Sequence, residues 1–390
     1  MISYNGNRID VIDLLKGIVM LIMALDHSRE FFHASALVFP PLDPAQTSWP
    51  IYFSAWISHF CAPAFSFLAG ISAFFIGTRT TTGGLSQFLL TRGLWLVFID
   101  VVLINFAWFA DIYFATFALT VISTLGFSMI ALAGLVHLPR KLILIFSCVL
   151  IFGHHLLDNV HFEGNLSWAI LHEIGLFPLP GGRQLLVAWA LIPWIAVMSL
   201  GYWFGEFYSG KFDSGKRRKL LNAVGFSALV LFVILRSIND YGDPKPWQHF
   251  TTTSQTLMSF LSTTKYPPSL MFLLLTLGAA ILFLANLENA KGKIVDFLCT
   301  FGRVPFFFYV IHLYLIHLLA MVYAEATGFG WQSLTTIEWL MNPQNRPGYG
   351  VKLWVVYMIW LAVIISTYPL CKKFDAYKRM HKEKKWLGYL

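Results

Sequence analysis

Arg8-Ile-Asp-Val-Ile-Asp13-Leu-Leu-Lys16-Gly-Ile-Val-Met20-Leu-Ile-Met23-Ala-Leu-Asp26-His27-Ser-Arg29-Glu30-Phe-Phe-His33 is an apolar stretch with charges at both ends and a histidine near its far end. Asp13, Lys16, Met20, Met23 and His27 follow one another at intervals of 3, 4, 3 and 4, so on a helix they share one face. At 1.5 Å of rise per residue, Lys16 and His27 sit roughly 16 Å apart along the axis, about half the thickness of a bilayer's hydrocarbon core. A cation at one level and an imidazole deeper in suit a reaction run inside a membrane protein. Spacing alone fits equally well an interfacial Asp13–Lys16 pair and a histidine emerging on the far side. Ionisable residues at membrane depth are costly, however, and usually functional.

The rest of the chain favours the membrane. Its 390 residues are 57% hydrophobic, 17% aromatic and only 12% charged, whereas soluble domains carry about 25% charged residues. The formal net charge of +8 is not interleaved into an aromatic face that would bind nucleic acid. The basic residues fall between apolar runs and in the tail. Cys61, Cys148, Cys299 and Cys371 lack metal-ligand spacing and are expected as free thiols. The first apolar run lacks a small-residue cleavage site and reads as a retained helix.

Ten apolar runs are long enough, or nearly so, to span: roughly 11–32, 51–77, 88–110, 113–138, 142–157, 185–207, 220–235, 269–287, 304–323 and 353–370. With the N-terminus inside, 20 basic residues fall in inner segments against 7 in outer ones. That bias predicts both termini on the cytoplasmic side. The expected fold is an all-α, polytopic integral membrane helical bundle of about ten transmembrane helices, forming a single domain over 1–390. Neither an internal repeat nor a soluble domain is visible. The outer loops, about 33–50, 158–184, 236–268 and 324–352, are the long ones.

Several stretches could carry chemistry. His27 is a candidate general base, with Asp26, or a carboxylate from another helix, to orient it. His33 follows six residues on. His154 and Asp158 share a helical face, but two ligands do not make a metal site, and none is expected. In Gly302-Arg303-Val-Pro305-Phe-Phe-Phe-Tyr309-Val-Ile-His312, Arg303 near the inner end suits a phosphate and His312 lies mid-helix. His59 is similarly embedded in the second run. A packed core histidine explains any one of these; three at membrane depth point to the bundle interior. Asp243 and Lys265 stand in the outer loop where an external substrate would arrive. Walker, Rossmann and serine-hydrolase patterns are absent from the sequence.

At Arg8–Phe32, Trp56–Phe75, Tyr241–Trp247, Lys265–Gly278 and Phe301–His317 the chain resembles bacterial members of the heparan-alpha-glucosaminide N-acetyltransferase catalytic-domain family, a branch of the transmembrane acyltransferases. Related polysaccharide O-acyltransferases carry an arginine, ten residues, then a histidine in the first helix. Lys16 stands at that arginine position and His27 at the histidine, lysine keeping the charge without the planar fork. The mammalian enzyme places its histidine further along, which makes His33 the reserve base. The resemblance implies an acyl-CoA-dependent acyltransferase of the bacterial inner membrane with no permanently bound cofactor. Acyl-CoA, as acetyl-CoA, would bind from the cytoplasm through Lys16 and Arg303. Its acyl group would pass to an acceptor, a sugar or glycan, on the outer side. His27 with Asp26 would be catalytic, and His33, His59, His312, Asp243 and Lys265 would line the site. The competing reading is a proton-coupled membrane transporter using the same histidines as relays. The absence of repeat symmetry and the lopsided loops argue against it.

Overall fold

Eleven helices carry the architecture of the computed structural model: α1 (Asp10–Phe32), α2 (Trp49–Gly77), α3 (Thr82–Phe109), α4 (Val121–Leu135), α5 (Arg140–Leu157), α6 (Ile192–Phe204), α7 (Ser214–Ile238), α8 (Leu270–Asn286), α9 (Lys293–Arg303), α10 (Pro305–Ala326) and α11 (Leu353–Met380). The structure describes residues 3–4, 7–8, 10–36, 38–342 and 345–388. Ile9 and the side chains of Arg8 and Lys385, used in the sequence reading, lie outside the described residues. Among the described residues, α2, α3, α5, α7, α10 and α11 are long and apolar enough to cross a membrane, while α4 and α8 are apolar but shorter.

Helix α1 is the hub. It is buried along almost its whole length, enclosed by other helices, and carries its charged and polar residues inward with it. It packs against α2, α9, α10 and α11. Its tightest neighbour is α9. A Cβ on Gly17 would meet the Leu298 carbonyl oxygen at 2.0 Å, and one on Gly302 would meet the Asp13 carbonyl oxygen at 1.8 Å. Helices α2 and α6 pair the same way, through Gly70 against Met198 at 2.0 Å and Gly201 against Phe67 at 2.1 Å. Such small-residue contacts let backbones approach where lipid supplies no hydrophobic drive.

Helix starts follow local chemistry. Thr81, Asp213 and Ser269 accept from the amides of Gly84 (3.1 Å), Lys216 (2.9 Å) and Phe272 (3.1 Å) to begin α3, α7 and α8. Pro193 and Pro305 occupy the first turns of α6 and α10.

Two of the ten apolar runs are not helical along their length. Runs 113–138 and 185–207 begin as strands: Thr116–Leu119 lies parallel to Arg183–Val187, which pairs antiparallel with Gly175–Leu179. Hydropathy cannot separate a short buried strand from a helical segment. Side chains of α3 provide for this non-helical backbone. The Asn105 amide donates to the Ala118 carbonyl (2.9 Å) and accepts from the Ala118 amide (2.5 Å). Asp100, which opens a π turn over Asp100–Ile104, accepts from the Thr120 amide (2.8 Å), the Thr120 hydroxyl (2.6 Å) and the Ser123 amide (3.1 Å) at the start of α4. Irregular backbone at membrane depth needs such partners within the protein. The fold is thus a mainly helical bundle, in keeping with the all-α expectation, with little sheet: this three-stranded one and the short pair Ser3–Tyr4 with Asn7–Arg8.

Candidate active site

The helical stripe of α1 opens onto a cavity of about 580 Å³. Asp13, Lys16, Met20, Met23 and His27 all line it, joined by Asp26 and Glu30. Helices α2, α3, α4 and α10 and the strand Thr116–Leu119 supply most of the remaining wall, with Lys265 and Tyr266 from the loop before α8. The volume falls within the usual range for a small-molecule site, roughly 300–1,000 Å³.

The cavity has two chemically distinct ends. At one, Lys16 and Arg303 are accompanied by Arg79, Arg92 and Lys378, with Asp13 and Asp375 among them. Lys16 Nζ donates to Ser72 Oγ (3.3 Å). Arg303 Nε donates to Asp375 Oδ2 (2.7 Å) and Arg303 Nη2 to Thr300 Oγ1 (3.1 Å). Asp375 also takes Arg379, and Arg92 reaches the Gly388 carbonyl. The sequence had singled out Lys16 and Arg303 for this role. Arg92 and Lys378 come from α3 and α11 and Arg79 from the turn after α2, and only packing brings them here.

Between the ends the wall is apolar, with Met20, Met23, Phe65, Ala69, Leu96 and Met129. At the other end sits His27. Its Nδ1 lies 3.0 Å from His312 Nε2, and Trp108 packs edge-on at 4.9 Å between ring centroids. Asp26 pairs with Arg29. Its Oδ1 accepts from Arg29 Nη2 at 2.7 Å, so its carboxylate is committed to an ion pair on the same helix. The side chain that meets His27 Nδ1 is His312 on α10, while Asp26 pairs with Arg29.

Lys265 lines this end, with its ammonium 5.5 Å from the centroid of Trp189 and 5.2 Å from that of Tyr266. Burial works against its charge, but Tyr266, Asp26 and Glu30 outweigh it and hold the Lys265 pKa above the ordinary lysine value.

Four residues expected at the site, His33, His59, His312 and Asp243, do not line the cavity. His59 packs its ring 5.2 Å from Phe272. His33 lies just beyond α1, forms a bridge with Val351 and has its Nδ1 3.0 Å from Ser35 Oγ. Asp243 is the anchor of the loop that carries Lys265. It accepts from the Thr264 amide (3.0 Å), the Thr264 hydroxyl (2.7 Å), the Ser269 hydroxyl (2.7 Å) and the Lys245 amide (3.0 Å), with Arg236 Nη1 at 3.8 Å. His312 is fully buried and meets the site through His27 and Tyr309. Among the described residues there is no group of three or more histidine, cysteine, aspartate or glutamate side chains arranged to hold a metal ion.

Residues 8–236 match the family model of the heparan-alpha-glucosaminide N-acetyltransferase catalytic domain. The chain belongs to this family. The match spans more than half of the sequence and includes α1 with the whole Lys16–His27 stripe. Membership makes the protein a membrane acetyltransferase in general terms, and its apolar helices agree with a multi-pass chain. No curated protein matches it. The remainder of the cavity wall, from Lys265 to Gly388, comes from outside the matched span.

Proposed function

We propose that this protein takes an acetyl group from cytoplasmic acetyl-CoA and delivers it to a carbohydrate acceptor at the opposite side of the bacterial inner membrane, the whole chain acting as one transmembrane unit. In this reading α1–α8, α10 and α11 are ten spans, both ends lie inside, and amphipathic α9 lies at the inner surface. The 20-to-7 division of basic residues supports that orientation.

The observation that carries the proposal is one cavity with cations at one end and His27 at the other. Lys16 and His27 are roughly 16 Å apart by helical rise. The pantetheine arm of coenzyme A, from phosphate oxygen to sulfur, has the backbone length of about four extended residues, roughly 14 Å at ~3.5 Å each. Phosphates held by Lys16, Arg303 and their basic neighbours would thus put the thioester close to His27. The apolar stretch between suits the arm itself.

His27 then removes the proton from the acceptor's hydroxyl or amine. The freed oxygen or nitrogen attacks the thioester carbonyl, the carbon–sulfur bond breaks, and the proton passes from His27 to the departing thiolate. The ammonium of Lys265 offers charge stabilisation for the oxyanion formed on the way. Trp108, Trp189 and Tyr266 with Asp26 and Glu30 give the acceptor end a mixed aromatic and polar wall suited to a sugar ring.

The test measures acetyl-CoA consumption and coenzyme A affinity on purified protein with a panel of sugar acceptors. His27→Ala is expected to lower turnover by about 10²–10⁴ while coenzyme A still binds, and His33→Ala to stay near wild type. Normal turnover in His27→Ala would remove it as the base.

A further inference from the structure

The contact between His27 and His312 fixes where the protons are. His312 Nδ1 lies 2.7 Å from the Phe308 carbonyl oxygen, one turn back on α10. A carbonyl oxygen only accepts, so Nδ1 carries a hydrogen. His312 has no exposed surface, and no carboxylate contacts its ring. A buried imidazole without a counter-charge is neutral. It has one hydrogen, already placed, so its Nε2 is a bare lone pair. The hydrogen in the 3.0 Å contact with His27 therefore belongs to His27 Nδ1. A neutral His27 then has its own Nε2 unprotonated.

Ring geometry agrees. The two ring planes differ by 2° and their centroids are 5.2 Å apart. That separation is the 3.0 Å contact plus the two ring radii. The rings thus lie edge to edge in nearly one plane, where an imidazole's N–H and lone pair both point. The other rings near His27, Trp108 at 4.9 Å and Tyr309 at 6.1 Å, approach at 78° and 72° and hold the imidazole edge-on.

We propose that His312 is a positioning residue: by accepting a hydrogen bond from His27 Nδ1, it holds His27 in the tautomer whose Nε2 is free to act as the base. This rests on the reading of His27 as the general base. Histidine bases are commonly oriented by a carboxylate. Here the nearest one, Asp26, is taken by Arg29. An imidazole does the same work without adding a net charge at membrane depth, where an unpaired charge is costly. When His27 takes the acceptor's proton, its Nδ1–H bond to His312 becomes charge-assisted and strengthens. His312 never touches substrate and holds its proton throughout.

The test compares His312→Gln, His312→Leu and His27→Ala for kcat, for acetyl-CoA affinity, and for imidazole ¹⁵N chemical shifts in histidine-labelled protein. Glutamine places an amide oxygen near the position of Nε2, so it is expected to keep kcat within a few fold. Leucine fills space without accepting, and kcat is expected to fall about 10- to 100-fold, within the range general-base help is worth, with acetyl-CoA affinity unchanged. In the unmodified protein the His27 resonances, assigned by their loss in His27→Ala, are expected to show Nδ1 protonated and Nε2 bare. Wild-type turnover in His312→Leu, beside an inactive His27→Ala, would overturn the proposal, as would a glutamine variant as slow as leucine. An active His27→Ala would defeat the base assignment instead. The ¹⁵N shifts need no substituted protein to fold beyond the assignment control, and a bare Nδ1 on His27 would overturn the tautomer outright.

Discussion

Replacing Asp243 by alanine tests whether the loop before α8 serves the site. The carboxylate takes four hydrogen bonds, at 2.7–3.0 Å, from Thr264, Ser269 and Lys245. Its side chain is 3% exposed and that of Arg236 is 2% exposed, with 3.8 Å between them. Breaking a buried ion pair by removing one partner typically costs about 3–5 kcal/mol. Arg236 would not be stranded, however. It also donates to the carbonyls of Phe260 (3.0 Å), Lys245 (3.1 Å), Ser259 (3.1 Å) and Ser262 (2.6 Å). The cost therefore belongs at the lower end, about 3 kcal/mol, and is concentrated in the segment between Thr264 and Ser269. Lys265 sits in that segment. Asp243→Ala is expected to lower the unfolding temperature, to open the loop to protease, and to reduce turnover about tenfold. Coenzyme A affinity, which the proposed function assigns to the far end of the cavity, should not change. Thermal unfolding, limited proteolysis, acetyl-CoA consumption and coenzyme A titration read these separately. Full stability, or weakened coenzyme A binding with normal turnover, would refute the reasoning.

Lys16→Ala should weaken coenzyme A binding by roughly 1.5–3 kcal/mol, about 10- to 150-fold, the scale of a hydrogen bond to a charged group; unchanged affinity by titration would take Lys16 off the phosphates. Gly302→Ala would put a methyl 1.8 Å from the Asp13 carbonyl oxygen, so stability should fall by about 1–3 kcal/mol or more. Gly134→Ala, where nothing lies within 4 Å, is the silent control; equal unfolding temperatures would contradict the packing. Single cysteines at Ser214 and Gln255 should label from opposite faces of the membrane, and labelling of both from one face would overturn the two-sided topology.

The first helix was legible because its signal is local. Intervals of three and four place Lys16 and His27 on one stripe whatever surrounds it, and that stripe lines the cavity. Lys265 was legible through its place in a long loop expected to face outward. Asp243 was chosen on the same grounds, but its carboxylate faces the loop's own amides and hydroxyls, a choice that sequence does not display. His59 and His33 were reasonable on burial and position, yet which way a ring turns depends on its neighbours. Arg79, Arg92 and Lys378 were counted only as orientation charges, since nothing local distinguishes a cation over a cavity from one facing solvent. The strands at 116–119 and 183–187 were hidden for a different reason: the apolar residues they contribute, 117–119 and 185–187, are too short a stretch for hydropathy to tell strand from helix.

The glycine contacts and the cationic end are one feature. Gly17 follows Lys16, and Gly302 precedes Arg303. The close approach of α1 and α9 at these two glycines sets the backbones in contact at a fixed register, with Gly17 against Leu298 and Gly302 against Asp13. That register brings Lys16 and Arg303 to the same level of the cavity wall. Two cations brought together repel each other, so the helices need another reason to meet. Backbone-to-backbone packing supplies it, with Asp375 on Arg303 offsetting part of the charge. His27, eleven residues along the same helix as Lys16, is then held at its depth by α1 itself. The distance between the cations and the imidazole is thus set by helical rise, and the pairing of the cations by a helix contact with no room for a side chain. A loop could supply either charge, but not a fixed separation between them.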